Sequence, residues 1–189
     1  MDHIPLRRFV QDATRIVDRN PPVPVLLPAL RDALRILIER DGWLAPEAAV
    51  ARGERYSQYL LHYDPLERFS VVSFVWGPGQ HTPIHDHTVW GLVGLLQGQE
   101  VSSHFNRHEG GALEPAEAVV LNRGDIELIE PAAGDIHQVC NGLFDDVSIS
   151  IHVYGANIGR LKRHVFQIDG QARDFISGYN NSTLPNIWS

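Results

Sequence analysis

Apolar positions near the N-terminus recur at helical spacing. Leu6, Phe9, Val10, Ala13, Ile16 and Val17 share one side of a 3.6-residue repeat, which predicts an amphipathic helix over the first twenty residues. The stripe reads as a face packed on the rest of the domain rather than a partner-binding face. Asn20-Pro-Pro-Val-Pro interrupts it, and a second helix is expected from about Pro28 to Arg40, with Leu30, Leu34, Leu37 and Ile38 inside and a stop at Asp41-Gly42. A short helical turn is expected at Pro46 to Arg52.

From Tyr56 onward the period changes. YSQYLLHY, RFSVVSFVW, VWGLVGLLQG, EVSSHFNR, AVVLNRGD, IELIEP, HQVCNG, SISIHVYG and RHVFQID are short, rich in β-branched or aromatic residues, and punctuated by Gly, Pro, Asn or Asp. Many short strands with no helices between them predict a mainly β fold, a sandwich or a barrel. The tail after Asp169, ending NNSTLPNIWS, is polar and reads as irregular. The expected organisation is a single domain over 1–189: a helical segment at 1–55, a β-barrel at 56–170 and an irregular tail at 171–189.

Composition narrows the classes. The 189 residues are 43% hydrophobic, enough for a substantial core, and the formal charge of −7 argues against nucleic acid or an anionic membrane surface as partner. No apolar run reaches the roughly eighteen residues of a membrane-spanning helix. Charges stand in MDHIPLRRFVQDATRIVDRN where a signal peptide would have its apolar core. Cys140 is the single cysteine, so no intrachain disulfide forms. These features together read as a cytoplasmic protein; the oligomeric state is not legible.

The chemistry concentrates in Gly77 to Gly98, GPGQHTPIHDHTVWGLVGLLQG. His85 and His87 lie two apart in a run that otherwise reads as a strand, so both imidazoles are expected on one face, aimed at one point. Two convergent histidines usually hold a metal. His137, in the Gly-, Pro- and Asn-punctuated segment Gly124 to Asn141, is the third candidate ligand. Taken singly, His85 or His87 reads better as an ordinary polar strand residue; the combined spacing of the three favours a metal. Farther on, Ser150, His152 and Tyr154 alternate along one strand. They either pass a hydrogen bond from serine through histidine to tyrosine or form a solvated strand face.

The spacings Gly79-x5-His85-x-His87-x3-Gly91-x6-Gly98 and Gly124-x6-Pro131-x2-Gly134-x2-His137-x3-Asn141 resemble the paired motifs of the cupin superfamily. The resemblance covers roughly residues 70 to 155 and implies a jelly-roll barrel of six to eight strands with a metal at its mouth. Many cupins carry a ligand Glu where this chain has Gly91. Three neutral imidazoles would leave a divalent metal its full charge and about three open positions, a site that favours a soft, anionic thiolate.

IHDHT, the later histidine and the Ser-x-His-x-Tyr strand together resemble the thiol dioxygenases within that superfamily, the cysteine dioxygenase type. The resemblance implies Fe(II) held by His85, His87 and His137, with Ser150, His152 and Tyr154 beside it. It also implies a small thiol-carboxylate substrate and O2 as co-substrate. Three features differ from the animal cysteine dioxygenases. Gln58 stands where they have a carboxylate-binding Arg, Gly91 where they have the Cys that crosslinks to tyrosine, and Gly155 to Arg163 where they continue Ser-Pro-Pro. These features resemble the bacterial Gln-type branch, similar to 3-mercaptopropionate dioxygenases, and imply that Arg163 takes the substrate carboxylate while Gln58 offers neutral hydrogen bonds. Cysteine as substrate, a non-catalytic metal-binding cupin, and a zinc or manganese isomerase remain as alternatives. His3, His62, His81, His104, His108 and His164 read mostly as surface residues, with His81 near enough to the motif to support it. Cys140 reads as a buried, inert thiol, and Trp76 and Trp90 as barrel packing, one of them able to line the pocket.

Overall fold

A computed structural model describes residues 2–188. Two helices come first, α1 (Ile4–Asp18) and α2 (Val23–Ile38). α1 has the predicted apolar stripe, with Leu6, Phe9, Val10 and Ala13 buried. α2 starts five residues earlier than the sequence pattern suggests. Pro24 sits in its first turn, where a missing N–H breaks no intrahelical bond, and Pro28 lies inside the helix. An interior proline costs about 3 kcal/mol. Burial of Leu26, Leu27, Leu30, Leu34, Leu37 and Ile38, at about 1.5–3 kcal/mol each, outweighs it. The expected turn after α2 is a single 3-10 turn, Pro46–Ala48, and does not extend to Arg52.

Among the described residues eleven strands follow: β1 (Ser57–Tyr63), β2 (Ser70–Trp76), β3 (Ile84–His85), β4 (Gly91–Gln97), β5 (Gln99–Arg107), β6 (Leu113–Asn122), β7 (Ile126–Ile129), β8 (His137–Asn141), β9 (Ser148–Tyr154), β10 (Arg163–Phe166) and β11 (Ala172–Phe175). They form two sheets, ordered β1-β2-β9-β4-β7 and β11-β10-β3-β8-β5-β6, with every pairing antiparallel. This is the expected jelly-roll barrel. Strand β11 is the departure: Ala172–Phe175 pairs along β10 although its residues are mostly exposed. An edge strand needs backbone pairing more than apolar side chains, so a polar stretch gave no signal for it.

The helices explain why the β1–β2–β9–β4 face is buried on both sides. Along β9, Ile149, Ile151 and Val153 join the cluster formed with α1 and α2, as Val71 and Val75 do from β2. The other phase points into the barrel, where Val72, Phe74, Trp76 and Tyr154 belong to a second cluster. Side-chain alternation therefore sends Ser150, His152 and Tyr154 together into the interior. At the β1–β2 turn, Asp64 accepts from Arg68 Nε (2.8 Å) and Nη2 (2.9 Å) and from the backbone N–H groups of Leu66 and Arg68. These bonds hold its carboxyl below the ordinary carboxylate range. No helix of the described residues is long and apolar enough to cross a membrane.

Candidate metal centre and substrate cleft

His85, His87 and His137 converge. All three are buried, and their candidate ligand atoms lie within 4.8 Å of one another. His85 and His137 face each other across the β3–β8 pair. His87 arrives differently from the sequence expectation, because β3 ends at His85. A turn with Thr88 at φ 61° carries the chain round, and Asp135 Oδ2 holds it by accepting the backbone N–H groups of His87 (2.7 Å) and Thr88 (3.3 Å).

Two of the three rings are oriented by a hydrogen bond at the far nitrogen. His85 Nδ1 lies 3.1 Å from Pro83 O, and His137 Nδ1 lies 2.9 Å from Ser102 Oγ. Ser102 in turn donates to Glu127 Oε1 (3.1 Å), which also takes His104 Nε2 at 2.7 Å. With Nδ1 acting as donor at His85 and His137, Nε2 is left with a free lone pair for a metal. His87 Nδ1 stands 3.5 Å from Asp135 Oδ2 and is buried without a hydrogen bond. Burial, with help from Arg163, lowers His85 to about 4. Burial and neighbouring rings hold His87 and His137 well below the usual histidine value. The cluster is therefore neutral at physiological pH, the form that ligates metals. Donor type, convergence, neutrality and support all fit a divalent transition metal.

Beside the imidazoles runs the predicted relay. Ser150 Oγ is 2.8 Å from His152 Nε2, and His152 Nδ1 is 2.7 Å from Tyr154 Oη. Trp76 Nε1 donates to Ser150 at 3.3 Å, and the Phe74 ring stacks on His152 at 4.0 Å. The Tyr154 ring stacks on His87, with centroids 5.5 Å apart. Burial raises the Tyr154 pKa, partly opposed by the Arg163 charge, so the phenol stays protonated. Gly91 pairs with Tyr154 across β4 and β9, and a Cβ there would come within 2.8 Å of the tyrosine ring. The bare glycine is what lets the ring lie against the strand.

Arg163 closes the opposite end. It is only 4% exposed, and its guanidinium carbon sits 4.5 Å from the Phe175 ring centroid. Nη2 donates to Ser177 Oγ (2.9 Å), while Nε is buried without a partner. Gln58 lines the same cleft, but its Nε2 donates to Gly178 O, so part of its polar capacity is committed to the tail. The tail is thereby a strap. Asn180 and Asn181 bond to the β1 backbone at Gln58 and Leu60, and Tyr179 Oη accepts from Gly159 N. Tyr56, Phe74 and Trp76 form an aromatic wall. Larger clefts, such as the one of about 370 Å³ beside Arg68 and Trp90, contain none of the three histidines, the relay residues, Gln58 or Arg163.

Seven of the eight site residues expected from the sequence thus line one cleft, and the eighth, Ser150, stands behind His152. Three further residues reach the histidine network only through folding: Glu127 and Asp135 have no local signal, and Ser102 has only the phase of β5 that it shares with His104. His104 is half-buried in the His137 network and is not a free surface residue. His81 is exposed, its Nδ1 engaged locally with Thr82 O, and lies outside the cleft. Cys140 is half-buried, Trp76 lines the cleft, and Trp90 packs against the helix-facing cluster.

No protein-family model matches the chain. It is 25% identical over 139 residues to cysteine dioxygenase type 1 from Danio rerio, an alignment covering 71% of this chain and 64% of that relative, less than two thirds of its length. A solved cupin-2 domain from Rhodospirillum rubrum superposes with a TM-score of 0.50 at 16% identity, over 69% of this chain and 83% of that one. A protein with a double-stranded β-helix domain from Klebsiella pneumoniae gives a TM-score of 0.46 at 18% identity, over 63% and 88%. The fold is that of the cupins, here with a three-histidine cluster suited to a metal.

Proposed function

We propose that this metal-binding cupin is a non-haem iron(II) thiol dioxygenase. The reaction adds both atoms of O2 to the sulfur of a small mercapto-carboxylic acid, 3-mercaptopropionate being the preferred substrate and 3-sulfinopropionate the product. The observation that carries the reading is the placing of three kinds of group in one cleft: neutral imidazoles, a relay-held phenol and an arginine with an unused buried donor. Iron(II), when bound by His85, His87 and His137, supplies the thiolate affinity and the dioxygen chemistry.

The chain's own residues do the rest. Arg163 Nε takes the carboxylate, which fixes the distance from anion to sulfur and so selects chain length. Tyr154, held by His152 and Ser150, offers its hydroxyl proton to the sulfur or oxygen in the cleft. The aromatic wall of Tyr56, Phe74 and Trp76 excludes water. The balance closes without another reductant, because RSH plus O2 gives RSO2H.

The similarity to a cysteine dioxygenase favours L-cysteine as a second reading. No Asp or Glu lines the cleft among the described residues, so the ammonium of cysteine finds no anionic partner beside the Arg163 charge. That favours the mercapto-acid. The test is oxygen uptake by the iron(II)-loaded protein, with 3-mercaptopropionate and L-cysteine in parallel and sulfinate tracked. Preference for 3-mercaptopropionate supports the reading, and preference for cysteine overturns the substrate. Uptake with neither, despite bound iron, leaves a binding protein. Tyr154→Phe should lower kcat and leave iron content unchanged.

A further inference from the structure

Glu100 is an acid buried in the barrel with no assigned role. It lies on β5, fully enclosed, where Oε1 accepts from Ser148 Oγ at 3.3 Å and Oε2 is buried without a hydrogen-bond partner. Ser150, the first member of the relay, is the second hydroxyl near enough to influence this carboxyl, although its hydrogen bonds in the structure are to His152 and Trp76. A buried carboxylate with one unsatisfied oxygen and no cation beside it is costly; the protonated acid is not.

The groups facing it are few. Strand β9 presents Ser148, Ser150 and the Tyr154 phenol; β7 presents Glu127; β8 presents the Cys140 thiol; and β6 pairs Leu121 opposite it. None is a cation. Burial, opposed by the two hydroxyls and reinforced by Glu127, raises its pKa to about 8.

We propose that Glu100 is a positioning residue for Tyr154: as a neutral acid donating to Ser150, it sets the direction of the relay so that the tyrosine proton faces the cleft. Proton counting gives the reason. His152, lowered to about 3 chiefly by burial and further by the Arg163 charge, carries a single ring proton at neutral pH. Ser150 Oγ already accepts from Trp76 Nε1. If Glu100 donates to Ser150, both serine lone pairs are used and its own proton goes to His152 Nε2. The ring proton then sits on Nδ1 and is given to Tyr154 Oη, whose hydroxyl hydrogen is free for the substrate. If Glu100 is ionised, Ser150 donates to it instead. His152 then carries its proton on Nε2, and Nδ1 takes the tyrosine hydrogen away from the cleft. Both arrangements satisfy Ser150, His152 and Glu100 Oε1; only the first leaves Tyr154 able to donate.

The role in catalysis rests on the dioxygenase reading, but the relay direction has its own readout. Nitrogen-15 NMR of the full chain carrying zinc, a diamagnetic stand-in for iron, reports the His152 tautomer, assigned by its loss in His152→Gln. From about pH 6 to about pH 10, wild type should pass from the Nδ1–H to the Nε2–H form, while Glu100→Gln should show no pH-dependent change. A tautomer invariant in wild type, or a switch that persists in E100Q, overturns the proposal. With iron bound, the saturating rate with 3-mercaptopropionate should fall at least about tenfold across the same range in wild type and stay level in E100Q. Glu100→Ala should lose at least about tenfold at neutral pH, with E100Q recovering most of it. A merely structural carboxyl would leave the alkaline limb in place. No thiol oxidation at any pH would sink the dioxygenase reading, and the tautomer titration would still decide the part played by Glu100.

Discussion

Replacing Arg163 with methionine separates recognition of the carboxylate from the rest of the site. Methionine keeps an apolar stem over Phe175 and removes the charge. In the wild type, Nη2 is committed to Ser177, while Nε is a buried donor without a partner that an incoming anion can use. A hydrogen bond to a charged group contributes about 1.5–3 kcal/mol, and the low-dielectric surroundings of a 4% exposed side chain put the loss toward the upper end. At about 1.4 kcal/mol per decade, kcat/KM for 3-mercaptopropionate should fall roughly 30- to 150-fold. The control is 3-mercaptopropanol, which has the same sulfur and chain but no carboxylate. Its kcat/KM should change less than about threefold, because it forms no ion pair to lose. Oxygen-electrode rates with both thiols give the ratio directly. An equal fall for the two thiols would show that Arg163 supports the site's shape and does not recognise the anion.

Ser102→Ala should weaken metal affinity about tenfold or more, read by chelator competition, because His137 loses the partner that orients its ring; unchanged affinity would count against that assignment. Leu34→Ala should cost about 2–5 kcal/mol in urea unfolding while metal content per folded chain stays the same, since Leu34 is fully buried between α2 and the sheet, away from the histidines. Asp64→Asn should cost about 1–3 kcal/mol at neutral pH. The folded pKa of Asp64 is depressed, so its contribution is present above the unfolded value and lost as pH falls through the folded one. The stability gap between wild type and D64N should therefore close in acid, and a gap independent of pH would refute the ion-pair account.

The parts of this site that could be read in the sequence are those whose geometry is local. Alternation along β9 already put Ser150, His152 and Tyr154 on one face, and the barrel merely turned that face inward. His87 was expected on the right side for an incomplete reason: the strand stops at His85, and a turn tied to Asp135, forty-eight residues on, restores the convergence. Glu100, Ser102 and His104 share one phase of β5, so a charged and a hydroxyl residue in step with a histidine was a usable hint. Their partners, Ser148, Glu127 and His137, lie 48, 25 and 35 residues from the residues they bond, or on other strands, and no local pattern encodes such pairings. The start of α2 was hidden by prolines that suit a first turn as well as they break a helix. The strap went unseen because it is held by backbone and asparagine bonds instead of an apolar face.

The strap has a consequence for how such a protein can diverge. The histidines and the phenol stand on the barrel strands and the turn after β3, all before residue 155, whereas the arginine end is assembled from β10 and residues 175–181, with Gln58 tied between. Insertions, swaps or single changes in that last stretch reach the anion-facing wall without passing through a ligand strand. Two traits that usually constrain each other, keeping the metal and choosing what is brought to it, are thus inherited on separable lengths of chain. Grafting an alternative final segment onto this barrel is accordingly the economical route to a new acid specificity.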